Sequence, residues 1–436
     1  MSKNGKLMAL FVIALCSHSV CAQSLTMSID GMFALADEQS TSIAVYDIRR
    51  DVADEALKGA KAQRLPDLTI SASASYLGDG RLWDRNFGDG VRVDMPHFGN
   101  NFALEARQVV YAGGAVGSSI KQAELGKRQA ELDWAQNRQE IRFMLVGSYL
   151  DLYKLDNQMK VLQKNIELTE QILADMIVRK EQGTVLKNDI TRYELQLEQL
   201  KLQLTRIQDN RAILNHQLVT TLHLPKETVI VPDTMLLNTQ VATLAESDWQ
   251  EMATNNNIAL QQAQTAVLMN EQQVRQERAG MLPSISVVAA DHLDGPITIE
   301  VPVLDNNFNY WYVGIGIDFN IASLYKSRRK VKQARLNVNQ AREQYLLAQE
   351  QVENAVQAGY TNFLTAFTDL HTQENSVRLA DEHYSVTSNR YRNGMALLAD
   401  MLDASYMKIS ADLGLVEARI NVIYNYYKMK YITHTL

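Results

Sequence analysis

Residues 310–320 read YWYVGIGIDFN, and they alternate between two kinds of side chain. Trp, Val, Ile, Ile and Phe occupy the odd positions, whereas Tyr, Tyr, Gly, Gly, Asp and Asn occupy the even ones. Because successive side chains of a strand point to opposite faces of a sheet, this alternation predicts a β-strand with one apolar face. The run is long enough for a tilted strand that crosses a bilayer, although a soluble sandwich can show the same pattern.

Three further segments show the same alternation, from Leu68 to Tyr76, from Phe102 to Arg107 and from Ile285 to Val287. Together the segments predict two pairs of strands, at about 67–77 and 101–112 and at about 284–290 and 310–320. Aromatic side chains cluster near the ends of these runs, where membrane β-barrels carry aromatic girdles. The predicted girdle consists of Tyr76, Trp83, Phe102, Tyr111, Phe308, Trp311 and Phe319.

The chain contains an internal repeat with an offset of 211 positions. The matching pairs are Lys121-Gln122-Ala123 with Lys332-Gln333-Ala334, Tyr149 with Tyr360, Gly183 with Gly394, and Asp189 with Asp400. Leu65-Pro66 also recurs, as Leu282-Pro283, with an offset of 217. Matches on one offset predict two copies of the same unit, each with a helix, a strand pair and a long helical hairpin.

Each strand pair is followed by a heptad-like pattern of apolar residues. Alternating steps of three and four residues form one seam from Leu152 to Met176 and a second from Ile190 to Leu218. The two seams can face each other across a turn near Gly183, so the pattern predicts a coiled-coil hairpin. At 1.5 Å per residue, its first helix would be on the order of 100 Å long.

The composition favours long helices and disfavours helices that span a membrane. Only 7 of the 436 residues are Pro and 21 are Gly, so few turns and long uninterrupted elements are expected. The mean hydropathy is -0.21, and no run of about 18 apolar residues occurs. The formal net charge of -7 disfavours a nucleic-acid partner.

The first 22 residues have the pattern of a secretory signal peptide. Two lysines precede an apolar run that ends at Cys16, and Val20-Cys21-Ala22 offers a small-residue cleavage site. Neither cysteine follows the small residue that lipid attachment requires, so no lipid anchor is expected. Processing after Ala22 would leave a mature chain without cysteine, and therefore without a disulfide or a thiolate metal site.

No sequence pattern indicates a catalytic or a metal site. The loop from Gly78 to Asn100 carries Asp79, Asp84, Asp89 and Asp94, but a calcium loop places its ligands at every second position. We therefore expect a solvated surface loop in this segment (79–94), although a cation site stays conceivable. The sequence has no His-Glu-x-x-His, phosphate-binding or Gly-x-Ser-x-Gly motif, so neither enzymatic activity nor a cofactor is expected.

The strand count predicts an oligomer. Four membrane strands cannot close a barrel, which needs about eight, and an open edge in lipid leaves backbone groups unpaired. Three chains would supply twelve strands, and the helical hairpins could continue the wall of the barrel. The predicted fold class is therefore mainly α with membrane β: a duplicated unit of coiled-coil hairpins plus strand pairs, forming a trimeric 12-stranded β-barrel continued by an α-helical barrel.

The same patterns predict the organisation of the chain. The signal peptide at 1–22 is followed by a first repeat at 23–222 and a connecting equatorial segment at 223–245. The second repeat covers 246–436. The long hairpins are expected at about 115–222 and at about 323–432.

Several motifs occur together in this arrangement. They are the Leu-Pro entry to each first strand, Tyr111-Ala112-Gly113-Gly114 after the second strand, and the tip turns Gly183 to Asp189 and Gly394 to Asp403. With the duplicated units, these motifs resemble the TolC-like outer-membrane efflux protein family over nearly the whole mature chain.

The resemblance implies a homotrimer in the cell outer membrane, in contact with its lipid, whose helical barrel lies in the periplasm. It further implies a passive exit duct of a tripartite efflux pump, with a periplasmic adaptor (membrane fusion protein) and an inner-membrane pump as partners. A type I protein secretion duct is the alternative with the same fold, and a soluble periplasmic coiled-coil adaptor is a further one. The transported substrate is not encoded in these patterns.

The resemblance also implies a gate at the hairpin tips. By position, Asp400 and Asp403 would form acidic rings, and Tyr391 would be the gate tyrosine with Asp189 as its partner. Ala396 stands where a well-studied family pattern has an arginine, so the bonding of the gate is expected to differ. Asp189 and Asp400 also stand where aspartate caps helices, and the two roles are compatible.

The tip turns are the expected docking surface for the adaptor, because small and apolar residues at an exposed turn favour such a contact. The alternative is that these side chains pack on one another within the trimer. The residues are Gly183, Thr184, Val185, Leu186, Gly394, Met395, Ala396 and Leu397.

Overall fold

The computed structural model describes residues 24–233, 244–300 and 302–436, and the fold is mainly helical. The predicted signal peptide and part of the predicted connecting segment lie outside the described residues. The helices are α1 (Ile29–Gln39), α2 (Thr41–Ala62), α3 (Ala115–Glu181), α4 (Lys187–Thr221), α5 (Glu246–Asn256), α6 (Ile258–Ala279), α7 (Ser323–Arg392) and α8 (Leu398–Ile432). The strands are β1 (Ser24–Met27), β2 (Asp67–Tyr76), β3 (Gly80–Leu82), β4 (Val91–Val93), β5 (Phe98–Ala112), β6 (Val229–Pro232), β7 (Ser284–Gly295) and β8 (Phe308–Asp318).

A four-stranded antiparallel sheet joins the two halves of the chain. Its strand order is β2-β5-β7-β8, so β5 of the first half pairs with β7 of the second half. One register shift occurs in this central pair, between Val109 and Tyr111. Within the described residues β2 and β8 each have one partner in this sheet, and both edges are open for pairing with another chain.

The strands differ in extent from the sequence-based expectation. β7 continues to Gly295 rather than ending near residue 290, because the segment from Asp291 to Asp294 pairs with both β5 and β8. β5 begins at Phe98 rather than near residue 101, and β8 covers 308–318 rather than 310–320. Polar residues in the added segments, such as Asp291 and Asn100, interrupt the alternation on which the expected boundaries depended. Phe319 and Asn320 continue the alternation, but the pairing of β8 with β7 ends at Asp318.

The sheet has one face rich in large apolar side chains. Ile70 pairs with Leu104, Leu104 with Asp291, and Asp291 with Trp311, so these residues form one row across that face. The carboxylate of Asp291 accepts a hydrogen bond of 2.8 Å from the Asn309 amide. We call this the apolar face, and its large exposed residues include Leu68, Ile70, Leu104, Trp311, Val313, Ile315 and Ile317.

The opposite face of the sheet is polar. Arg107 of β5 donates to the Asp318 carboxylate of β8 at 2.9 Å, and Asn101 donates to Asp294. His292 stacks on Tyr310, with 5.2 Å between the ring centroids. A sheet with one apolar and one polar face can separate hydrocarbon from water.

Four helices stand side by side next to the sheet, in the order α2, α3, α6, α7. This order repeats that of the strands, because each strand is joined to one of these helices by a short connection. α3 folds back into α4 and α7 folds back into α8, and both returning helices have 35 residues. α7 has 70 residues, which corresponds to a length of about 100 Å at 1.5 Å per residue. Within the described ranges, no helix is both long and apolar enough to cross a membrane.

The predicted seams lie inside the first hairpin. Every seam position from Leu152 to Met176 and from Ile190 to Leu218 is buried or half-buried. Leu162 of α3, Leu200 of α4 and Ile409 of α8 form one buried cluster, so the seams also bind the first hairpin to the second. The polar seam residue Arg211 donates to the Asp156 carboxylate at 2.5 Å and to the Ile230 carbonyl at 3.0 Å, which explains why a charge is tolerated there.

A second core lies near the middle of the long helices. β1 pairs in parallel with β6, and α1 packs Met32 against α3 and α4. The buried hydroxyl of Tyr149 accepts a hydrogen bond of 2.7 Å from the Asp233 amide. Ile420 and Ile423 of α8 belong to the same core, so it joins the first helix of the chain to both hairpins.

An ion-pair network fastens α1 to α3. Arg138 binds the Asp37 carboxylate with two nitrogens at 2.9 and 2.6 Å, and Arg142 binds it at 2.5 Å. Burial opposes ionisation of this carboxyl, but the two guanidinium groups outweigh burial and hold the pKa of Asp37 below its ordinary value of 3.8.

Replacing Asp37 with asparagine is expected to lower the free energy of unfolding by about 1–3 kcal/mol at neutral pH, because two arginines lose their shared anion. A depressed pKa stabilises the fold above the unfolded value of 3.8, and this contribution is lost as the pH falls through the folded pKa. Denaturation of D37N and the parent at neutral and acidic pH measures the effect. The exposed pair of Asp47 with Arg50 supplies the control D47N, for which a loss below about 0.5 kcal/mol is expected. A D37N deficit that did not shrink in acid would contradict the assignment.

Candidate functional site: the hairpin tips and the sheet

The two hairpins end in the same turn geometry. Gly183 and Gly394 have φ values of +77° and +73°, a conformation that glycine adopts without strain. Their amides donate to the carbonyls of Lys180 and Tyr391, each at 3.0 Å. The residue after each glycine donates to a carbonyl five positions back, so both long helices end in the same capped turn.

Asp189 and Asp400 hold the same place in the returning helices, as the third residue of α4 and of α8. The Asp400 carboxylate accepts a hydrogen bond of 2.9 Å from the Leu397 amide and therefore caps α8. Asp400 and Asp403 are both exposed, whereas Asp189 is half-buried. The capping role of Asp400 is thus present, and it leaves the carboxylate accessible to water.

Tyr391 lies at the end of α7 in a cluster under both tips. We call this the tip cluster: its buried members are Met176, Ile190, Tyr193, Leu398 and Met401, with Val185, Tyr384 and Tyr391 packed against them. Burial raises the pKa of Tyr391; the Arg179 guanidinium opposes that rise, and the carboxylates of Asp189 and Asp175 add to it. Tyr391 therefore stays protonated, and it lies close enough to Asp189 for the carboxylate to affect its pKa.

Arg179 connects the two tips, a role that the sequence reading missed. Its guanidinium donates to the Arg392 carbonyl, at the end of α7, at 2.9 Å. The same group pairs with Asp175 at 3.1 Å. A cation at the carboxyl end of a helix is favourable, because unpaired carbonyls give that end a partial negative charge. Arg179 thus supplies an arginine link between the tips although position 396 is alanine.

The tip turns expose part of the predicted docking set. Leu186, Met395 and Leu397 are 71%, 62% and 72% exposed, so most of the surface of each side chain is free to contact a partner. Val185 instead packs against the tip cluster. Exposed apolar residues at the two hairpin turns form a candidate contact surface.

The predicted girdle residues lie at three different levels. Tyr76 and Phe308 are near one end of the sheet, and Tyr111 and Phe319 are near the other. Phe102 and Trp311 lie inside their strands rather than at the ends, because β5 and β8 begin earlier than expected.

Trp83 lies outside the four-stranded sheet. It follows β3 in a small hairpin formed by β3 and β4, which the expected surface loop contains. Two aspartates of this loop form bonds within the small hairpin. Asp79 pairs with Arg92, and Asp84 accepts hydrogen bonds from the amides of Asn86 and Gly88. In the part of the chain that the structure describes, no group of three or more His, Cys, Asp or Glu could hold a metal ion.

Comparisons with known proteins agree with this architecture. The family model described as "Outer membrane efflux protein" matches residues 249–425. TolC of Salmonella enteritidis is 24% identical over 189 residues, and TolC of Escherichia coli K12 is 25% identical over 192 residues. The family model and both relatives point to the same family. The predicted resemblance to TolC-like outer-membrane efflux proteins is therefore confirmed.

The sequence alignments cover less of the chain than the structural match does. The alignments with the two TolC proteins cover 42% of this chain and span only 38% and 39% of the relatives' length. The crystal structure of the outer membrane protein VceC from Vibrio cholerae has a TM-score of 0.77 and 15% identity, covering 93% of this chain and 95% of that one. The shared fold thus extends across both repeats, and the outer-membrane location predicted for the chain is confirmed at the level of the family.

Proposed function

We propose that this protein is the passive outer-membrane exit duct of a tripartite efflux pump and carries small molecules outwards. In this proposal three copies form a 12-stranded barrel in the outer membrane, and their helices continue it as a barrel in the periplasm. The family is one of ducts rather than of enzymes, so the proposed activity is transport without catalysis. A type I secretion duct with the same architecture remains the alternative for the cargo.

The observation that carries the proposal is the sheet. It exposes large apolar residues on one face, with Ile70 at 82% and Ile315 at 74% exposure, and both of its edges lack a second partner among the described residues. Unpaired edges in hydrocarbon cost several kcal/mol per backbone group, so copies of the chain must pair β2 with β8. The adjacent helices would then surround a lumen that the polar face of the sheet continues. A soluble periplasmic adaptor has no use for such a sheet.

We further propose that the tips form the periplasmic gate. Threefold symmetry would repeat Asp400 and Asp403 around a narrow bore, where acids attract cations and repel anions. Tyr391 and Asp189 share one environment beneath the tips, and Arg179 ties α3 to the end of α7. Exposed Leu186, Met395 and Leu397 would receive the adaptor, which links the duct to the inner-membrane pump.

Replacing Asp400 and Asp403 with asparagine is expected to reduce the preference for cations in bilayer recordings. Asparagine keeps an oxygen that can cap α8, so the change removes charge and leaves the cap acceptor in place. The measurement is the reversal potential of the reconstituted protein under a salt gradient.

The control for this prediction is D209N with E198Q, which removes two exposed acids from α4, away from the tips. The control is expected to keep the reversal potential of the parent. Unchanged selectivity in D400N/D403N would remove the acidic-ring hypothesis.

A further inference from the structure

The start of α7 carries a concentrated positive charge. From Phe319 to Arg342 the sequence contains no Asp or Glu. The partial positive charge of the helix N-terminus adds to the side-chain charges. The basic residues in this segment are Lys326, Arg328, Arg329, Lys330, Lys332, Arg335 and Arg342.

Part of this segment lines an open cavity of about 750 Å³ between α6 and α7. Arg278, near the end of α6, supplies the opposite wall. We call this cavity the basic groove, and its lining residues are Arg278, Met281, Arg328, Arg329, Val331, Lys332 and Arg335. Val331 is the one lining residue that is buried, whereas the arginines and Lys332 are exposed.

The cations of the basic groove have no anionic partner among the described residues. No carboxylate there lies within 4.0 Å of any of its four arginines or of Lys332, whereas Arg342, further along α7, pairs with Glu271 at 2.8 Å. Like charges held close together repel, and the repulsion is relieved only by water, salt or a bound anion. The guanidinium groups of the groove are therefore free to bind an anionic ligand from outside the chain.

The groove lies directly beside the proposed membrane sheet. α6 leads into β7 within five residues of Ala279, and β8 leads into α7 within five residues of Asp318. Exposed Ile317, Phe319, Ile321 and Leu324 lie along the chain between the apolar face and the groove. An amphiphile could therefore lay its acyl chains against these residues while its head reaches the arginines.

We propose that the basic groove binds the phosphate of an anionic phospholipid in the membrane leaflet next to the helices. Arginine forks bind phosphate with two parallel hydrogen bonds, and basic clusters beside a membrane-embedded segment attract anionic headgroups. The bound lipid neutralises the repulsion within the groove and anchors the junction of sheet and helices. This inference rests on the proposed insertion of the sheet in a membrane.

The test uses the full-length protein purified in a neutral detergent. Phosphatidylglycerol or phosphatidylcholine is titrated into the micelles, and the melting temperature of the oligomer is followed. Phosphatidylglycerol is expected to raise it for the parent, with the effect declining in high salt, and phosphatidylcholine is expected to have little effect. The double variant R328Q/R335Q is expected to need at least tenfold more phosphatidylglycerol for the same rise.

A matched control comes from the same segment. K326Q/K330Q removes two positive charges that do not line the groove, and it is expected to respond to phosphatidylglycerol as the parent does. If R328Q/R335Q does not assemble, the single variant R335Q is used, with at least a threefold loss expected. An equal response of R328Q/R335Q and K326Q/K330Q would overturn the proposal, because net charge alone would then explain binding.

Other outcomes identify a different occupant and also overturn the proposal. Equal stabilisation by inorganic phosphate at the same concentration would indicate a site for free anions. A variant that assembles poorly without lipid but keeps the phosphatidylglycerol response would indicate a contact between copies of the chain. Recovery of the parent outside the membrane fraction would reject the proposed function, whereas membrane recovery without a phosphatidylglycerol response would reject this inference alone.

Discussion

Replacing Leu200 with proline is expected to destabilise the protein by about 3 kcal/mol or more. Leu200 lies in the middle of α4, is 6% exposed, and packs with Leu162 and Ile409 in the cluster that joins both hairpins. Proline removes a hydrogen bond of the helix, its ring collides with the preceding turn, and the leucine contacts are lost together. Thermal denaturation of the purified oligomer measures the loss.

The control for this prediction is proline at the first position of the same helix. Lys187 begins α4, where proline removes no intrahelical hydrogen bond and its fixed φ suits a helix start. The free energy of unfolding of K187P is therefore expected to lie within about 0.5 kcal/mol of the parent value, as for other exposed surface changes. An L200P variant with unaltered thermal stability would contradict the assignment of the seams.

Replacing Gly113 with alanine is expected to cost about 3 kcal/mol, from left-handed backbone strain together with overpacking. Gly113 follows β5 with a φ of +61°, at the junction of the sheet with the helices. A methyl group there would lie 2.7 Å from the Ala279 carbonyl oxygen and 2.9 Å from Cβ of Leu282. The junction would have to open, so the melting temperature is expected to fall.

Gly114 offers a control that separates the two causes. Its φ is also positive, at +88°, but a methyl group there meets nothing within 4 Å. G114A is therefore expected to show the strain alone, about 1–2 kcal/mol. Equal losses for G113A and G114A would show that the close approach to Ala279 contributes nothing.

The strand at 310–320 and the helical seams could be predicted because local periodicity determines both. The alternation in 310–320 is strong because Trp311, Val313, Ile315 and Ile317 all lie on the apolar face of β8. The heptad steps are equally regular, because each seam position is buried or half-buried in the packed hairpins. Such patterns need no knowledge of the rest of the chain, since period two and period 3.5 are properties of the strand and the coiled coil themselves.

Features that depend on distant partners were not predictable in the same way. β7 runs on through Asp291 and His292 because two neighbouring strands pair with it there, and a single-strand pattern contains no information about that pairing. The bond from Arg179 ends on a backbone carbonyl 213 positions away, and a carbonyl has no signature in the sequence. The only hint was a basic residue in the last turn of α3, opposite the other tip.

The candidate gate shows both situations together. Asp189 and Asp400 were found by their equal position in the two repeats. Asp400 accepts a capping bond from the Leu397 amide, whereas no side chain among the described residues caps the start of α4. Their part in a gate requires symmetry between copies of the chain, which a single chain does not contain. The acidic rings, the adaptor contact and the closed barrel are accordingly proposals, because each of them forms only between chains.

The unpaired edges of β2 and β8 are tested most directly by the oligomeric state of the processed protein with and without detergent. Light scattering after size-exclusion chromatography measures the mass of the protein component in each condition. A trimer that is extracted from membranes only by detergent is the predicted result. A stable single copy, monodisperse in buffer free of detergent and lipid, would contradict the account.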